Sequence, residues 1–170
     1  LLPSRGPVSG GTRVSVLYSG EGRNYDGVYC VFGSTEVAAT PASSGGYVCL
    51  TPPLGISGVV AVRIIEGTAR REVSTGLNYE FYVGAVVSSL APCSGSLVGG
   101  TSVSVIGSGF SGSSVECRFG GAVTGVEASR VLSSSLISCV SPSAAASGGV
   151  SVEVSLNGGA DFTSNGVEYT

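Results

Sequence analysis

Short runs of alternating apolar and polar residues, broken repeatedly by Gly, Ser, Pro or Asn, fill the chain from one end to the other. A period of two puts successive side chains on opposite faces of a pleated strand, so the pattern predicts half-buried β-strands. No helical periodicity lasts beyond a turn, and the expected fold class is all-β. In the first half, strands are predicted near Arg13 to Tyr18, Val28 to Phe32, Glu36 to Ala39, Gly46 to Thr51, Val59 to Glu66 and Tyr79 to Tyr82. In the second half they fall near Val86 to Leu90, Ser102 to Gly107, Val115 to Phe119, Val123 to Ala128, Leu136 to Val140, Val150 to Leu156 and Val167 to Thr170. After the Val150 strand, Asn157-Gly158 predicts a type I′ hairpin turn, in which both central residues need positive φ.

The strands recur with their punctuation. Gly10-Gly11-Thr12 returns as Gly99-Gly100-Thr101, Cys30-Val31-Phe32-Gly33 as Cys117-Arg118-Phe119-Gly120, and Cys49-Leu50-Thr51-Pro52 as Cys139-Val140-Ser141-Pro142. One unit is therefore duplicated, with domains expected over 1–84 and 85–170. About seven short strands per unit is the count of a β-sandwich. The predicted strand ending at Tyr82 and the one starting at Val86 leave almost no free linker, so the two sandwiches are expected end to end with restricted bending. Leu1-Leu2-Pro3 aligns with Leu90-Ala91-Pro92, so the first strand of unit one is expected to be cut short.

Composition narrows the function classes. The 170 residues carry a net charge of −3, and all 8 basic residues are Arg, with no basic cluster of the kind phosphate neutralisation needs. Nucleic acid is not an expected partner. Mean hydropathy is +0.43, yet the apolar stretches fall far short of the ~20 residues that span a bilayer, so membrane insertion by this segment is not expected either. With no Met in the sequence, the chain is expected to be a processed protein or part of a longer one.

Five cysteines in small β-domains indicate an oxidising, extracellular or cell-surface setting. No Cys-x-x-Cys spacing and no His are present, so no metal site and no cofactor are expected. If each unit closes its own pair, Cys30 bonds Cys49 and Cys117 bonds Cys139. Cys93 is then left over, its counterpart in unit one being Ser4. Two readings stand for Cys93: an interdomain or intermolecular bond near the junction of the units, or a buried free thiol filling the core.

Catalytic chemistry finds little to work with. Ser or Cys nucleophiles need an imidazole or amine base, and the chain has neither His nor Lys. Asp occurs only at Asp26 and Asp161, and the acidic residues stand singly, as on a solvated surface rather than as a glycosidase pair. Gly107-Ser108-Gly109-Phe110-Ser111-Gly112 has the form of a dinucleotide loop but leads into another strand instead of opening a helix. The richest polar and aromatic loop, Gly22 to Gly27, offers Arg23, Tyr25 and Asp26 as a binding loop, against the plainer reading of a turn. Arg70-Arg71-Glu72 is similar: a solvated turn, or an ionic contact to a neighbour.

In unit two the order of pieces is Leu90-Ala91-Pro92, Gly99-Gly100-Thr101, Gly107-Ser108-Gly109-Phe110, Cys117-Arg118-Phe119-Gly120, Ile137-Ser138-Cys139-Val140-Ser141-Pro142 and Val167-Glu168-Tyr169. This resembles the IPT/TIG domains of plexins and related receptors, fibrocystin-like surface proteins, some transcription factors and some polysaccharide enzymes. Unit one shows the same order, with Tyr18-Ser19-Gly20-Glu21 in place of the Gly-x-Gly-Phe element. The resemblance implies two immunoglobulin-like sandwiches serving as a non-enzymatic structural spacer and interaction module of an extracellular surface, adhesion or fibrous matrix protein. Partners are then neighbouring domains, other extracellular proteins or further copies of the chain. The alternative it implies is a non-catalytic accessory domain, carbohydrate-associated, of a secreted enzyme.

Overall fold

A computed structural model describes residues 1–17, 27–43, 45–74, 76–124 and 129–170. The backbone divides into two compact units, Leu1–Val83 and Gly84–Thr170. Among the described residues all regular structure is β. Unit one contains β1 (Arg5–Pro7), β2 (Arg13–Val16), β3 (Val28–Phe32), β4 (Thr35–Pro41), β5 (Tyr47–Leu50), β6 (Gly58–Glu66), β7 (Arg71–Glu72) and β8 (Leu77–Tyr82). Unit two contains β9 (Val86–Ala91), β10 (Ser102–Ser108), β11 (Glu116–Phe119), β12 (Ala122–Thr124), β13 (Ser129–Ser133), β14 (Leu136–Val140), β15 (Val150–Ser155) and β16 (Val167–Tyr169).

Alternation explains which faces are buried. In β10, Val103 and Val105 are fully buried while Ser102 and Ile106 face outward, and in β14 Ile137 and Cys139 point into the same core. The strand order in unit two is β13-β14-β10-β9 in one sheet and β12-β11-β15-β16 in the other. In unit one β4 pairs through Thr35 to Ala38 with β3 and through Ala39 to Pro41 with β5, so a single strand passes from one layer to the other and the order reads β1-β8-β6-β3-β4-β5-β2, with β7 paired to β6. The core of unit one gathers Val14, Phe32, Ile64, Tyr79 and Phe81 around the buried Cys30–Cys49 disulfide. Cys117–Cys139 takes the same place in unit two, each bridge spanning 6.3 Å between Cα atoms.

Two features depart from the sequence-based expectations, β1 and the Asn157-Gly158 turn, while a third refines one. β1 was not predicted, because Gly6 and Pro7 both lower strand propensity; Pro is tolerated there because β1 is an edge strand, paired on one side only with β8. The first strand of unit one, expected to be cut short, is represented by a Leu2–Ser15 bridge with reciprocal bonds of 3.0 and 2.7 Å. Finally, Asn157-Gly158 is not a type I′ turn. Asn157 keeps negative φ, Gly158 and Gly159 take φ of 69° and 79°, and β16 pairs with β15 only from Val167 onward. The Asn157 side chain organises a longer connection instead.

The two most conspicuous repeat motifs prove to be one joint. In unit one the Thr12 amide donates to Thr51 Oγ1 (3.0 Å), the Thr51 amide to the Thr12 carbonyl (2.9 Å), and the Gly11 amide to the Thr51 carbonyl (2.8 Å). In unit two Thr101, Ser141 and Gly100 repeat this at 3.2, 2.9 and 2.9 Å. Gly99 has φ +79°, and a Cβ there would lie 2.6 Å from the Pro142 carbonyl carbon; Gly10 makes the same approach to Pro52. Gly100 has a similar φ but open space around it. Gly99→Ala is therefore expected to destabilise unit two by about 3 kcal/mol, from a left-handed residue plus a backbone clash, and Gly100→Ala by about 1 kcal/mol from the backbone term alone. Denaturant unfolding of the two variants checks the difference.

Candidate functional site

The loop carrying Arg23, Tyr25 and Asp26 lies outside the described residues, as does Tyr18. The charged hairpin of unit one is described, and its groups turn to one another. Arg70, left-handed at φ 53°, forms an ion pair with Glu36 of β4 and lies 5.7 Å over the Tyr29 ring. The hydrogen bond and charge of Glu36 raise the Arg70 guanidinium above its ordinary pKa. Arg71 bonds the buried Glu66 carboxylate at 3.2 Å, and Arg63 stands 3.7 Å from Glu72. Of the two readings of Arg70-Arg71-Glu72, a solvated turn or an ionic contact to a neighbour, the structure shows an exposed turn whose charges pair within the unit.

Unit two uses polar groups to clamp the connection from β15 to β16. Glu153, largely buried, accepts from the Thr163 hydroxyl (2.6 Å) and from the Asn165 and Gly166 amides (3.2 Å each). Asn157 accepts from the Ser155 hydroxyl (2.9 Å) and the Asp161 amide (3.0 Å) and donates to the Asp161 carboxylate (2.8 Å). Asp161, one of the two aspartates of the chain, is committed to this turn. Among the described residues no three His, Cys, Asp or Glu side chains gather as a metal site.

Cys93 is exposed and unbonded, which disposes of the reading as a buried core filler. Its expected position at the junction is also corrected. It follows the far end of β9 from Val86, and its carbonyl accepts from the Thr170 amide at 2.9 Å. A six-residue strand extends about 20 Å at ~3.3 Å per residue, so Cys93 belongs to the end of unit two where β16 finishes.

At that same end a groove of about 330 Å³ opens between Gly95, Leu97, Phe119, Pro142, Val150 and Tyr169. Its floor is aromatic, with the Phe119 and Tyr169 rings edge to face at 5.3 Å. Sequence reading missed it because its rim is Gly, Ser and Ala, residues that read as ordinary loop. One signal was present: Gly6, Thr12 and Tyr79 of unit one recur as Gly95, Thr101 and Tyr169. A Cβ at Gly6 would overlap the Tyr79 hydroxyl and Thr12 Oγ1, and one at Gly95 would overlap the Tyr169 hydroxyl, so glycine admits the tyrosine in both units.

The IPT/TIG domain model matches residues 1–81 and again 85–170. The chain belongs to the IPT/TIG domain family. Two solved structures of the plexin A4 full extracellular region are similar to it. One has TM-score 0.50 and 21% identity over 99% of this chain, the other TM-score 0.54 and 18% identity over 98%. The chain spans 17% and 15% of those two chains. SGBP-B from a complex xyloglucan utilization locus in Bacteroides uniformis matches at TM-score 0.39 and 17% identity over 90% of this chain and 44% of its own. No curated protein matches the sequence. At these identities the likeness to the two plexin A4 structures shows the all-β fold, and the family match gives it as the immunoglobulin-like IPT/TIG sandwich.

The two kinds of polar contact should differ sharply in weight. Asn157→Ala removes a buried amide with three partners and is expected to cost about 1–3 kcal/mol, whereas Glu36→Ala, which breaks an exposed ion pair, should cost less than about 1 kcal/mol. Thermal unfolding of the single variants makes the comparison.

Proposed function

We propose that the chain is a structural spacer and protein-interaction segment of a larger extracellular surface, adhesion or fibrous matrix protein, and that it is not itself a catalyst. The observation that carries this reading is the pair of buried disulfides, one in each unit. Such bonds form and persist in oxidising compartments, and they stabilise small sandwiches whose cores are limited. Similarity to the extracellular region of plexin A4 supports the same setting. The absence of His and Lys from the sequence supports a non-catalytic role, since the common nucleophilic mechanisms lose their base.

In this reading the contacts are with neighbouring domains, other extracellular proteins or further copies of the chain. Cys93 offers an exposed thiol for one of them. The loop of Arg23, Tyr25 and Asp26 offers another, combining with a carboxylate the cation and aromatic ring of the types favoured at interfaces.

Non-reducing peptide mapping of the native full-length protein tests both levels of the proposal. Cys30–Cys49 and Cys117–Cys139 are expected to be oxidised, and Cys93 to be joined to a cysteine outside this segment. Reduced thiols at Cys30 and Cys49 would overturn the extracellular assignment. Cys93→Ser is expected to leave the unfolding midpoint of the isolated segment within a degree or two, because the thiol is exposed and bonds nothing in the unit, while assembly of the intact protein weakens.

A further inference from the structure

Two steps of the chain join Asn to Gly, Asn157-Gly158 and Asn165-Gly166, and both lie in the connection from β15 to β16. At such a step a chain loses side-chain ammonia most readily, because glycine leaves the following amide nitrogen unhindered. That nitrogen, its proton taken by hydroxide, attacks the Asn Cγ. The new N–C bond closes a five-membered imide, the bond from Cγ to the side-chain nitrogen breaks, and ammonia leaves with a proton from water. Water then opens the ring to Asp or isoaspartate. The reaction needs a Gly nitrogen free to lose its proton and a Cγ free to swing over it.

At Asn165 the structure withholds both through hydrogen bonds alone. Asn165 and Gly166 are exposed, so water and hydroxide reach them. The Gly166 amide donates to Glu153 Oε1 and the Asn165 amide to Glu153 Oε2, each at 3.2 Å. A proton leaving the Gly166 nitrogen would set a negative nitrogen against a carboxylate that is only 5% exposed, where charges are poorly screened. On the other side, Asn165 Oδ1 accepts from the Val87 amide at 2.8 Å. Val87 belongs to β9 and Glu153 to β15, strands of different sheets. Electrophile and nucleophile are thus tied to opposite layers of unit two, and they meet only when the turn comes away from one of them.

Asn157 is shielded differently. It is buried, its side-chain amide is held on both atoms by Ser155 and Asp161, and the Gly158 amide donates to the Ser114 carbonyl at 2.9 Å. In unit one the counterpart of Gly166 is Gly76, left-handed to the same degree (φ 69° against 70°), but Thr75 precedes it in the sequence and has no amide to lose.

We propose that Asn165-Gly166 is a gated deamidation site, protected by Glu153 and Val87 while the β15–β16 connection is closed and reactive when it opens. Because ammonia is lost, each opening that reacts leaves a permanent carboxylate at residue 165. Either product sets a second negative charge in the turn that Glu153 occupies, and isoaspartate lengthens the backbone by one carbon.

The test incubates the full 170-residue chain at mildly alkaline pH with its disulfides intact, beside a sample reduced and unfolded in urea. Peptide mass spectrometry follows deamidation at Asn157 and Asn165, and hydrogen exchange follows the Gly166 amide. In urea the two steps are expected to react at similar rates. In the native chain Asn165 is expected to react at least about tenfold more slowly, and this slowing to match that of Gly166 exchange within about threefold, since one opening admits hydroxide to both. Glu153→Gln accepts through a single oxygen and carries no charge, and it is expected to speed the loss at Asn165 at least about threefold while leaving Asn157 unchanged. Equal rates at Asn165 in the native and unfolded chains would overturn the proposal, as would a native rate well above what Gly166 exchange permits. A folded Glu153→Gln chain with an unaltered Asn165 rate would overturn it too, and the wild-type rates decide even where that variant does not fold.

Discussion

The cystine that joins β3 to β5, and its counterpart joining β11 to β14, fixes the separation of two sheets at their most connected strands. β3 is flanked by β6 and β4, and β5 by β4 and β2, so one bond sets the distance between layers for all of them. The loops it closes, 19 and 22 residues in sequence separation, correspond to about 3 kcal/mol by chain entropy. In units of this size that is a substantial share of the stability. The surrounding core can consequently be built largely of Val, with few aromatic rings, and still hold one arrangement.

What the apolar core leaves undone, hydrogen bonds within each unit complete. The Gly-Gly-Thr turn and the Thr-Pro or Ser-Pro strand end are locked by backbone amides that donate to buried hydroxyls. Both units fasten the return connection to their central strand by the same substitution, a hydroxyl accepting a strand amide: Ser74 from Ile64 at 2.7 Å and Thr163 from Val154 at 3.0 Å. Unit two adds Glu153 and Asn157, whose several partners within one short segment repay the burial of polar atoms.

The sequence displayed the strands because alternation is what a strand with one buried face must show. Val28–Phe32 and Leu136–Val140 have the predicted limits, since Gly or Ser bounds them closely. The pattern failed where backbone pairing does not depend on side chains. β1 holds its place through hydrogen bonds to β8 despite Gly6 and Pro7, and Asn157 acts through its amide rather than through the left-handed backbone the turn rule presumes. The candidate site was the least legible part. Arg70 and Arg71 drew notice by charge but are taken up by Glu36 and Glu66, while the groove of unit two is defined by shape between small residues, which no residue-type pattern records.

The pairing of β1 with β8 also bears on how unit one would respond to tension. These strands lie near the two ends of the unit and run parallel through Arg5–Glu80, Gly6–Phe81 and Pro7–Tyr82. A pull through the two ends draws them past each other along their length, so the ladder is loaded in shear and its bonds resist together instead of opening one after another. Beyond them on the entry side, among the described residues, stands the Leu2–Ser15 bridge, the first link that such a force would meet.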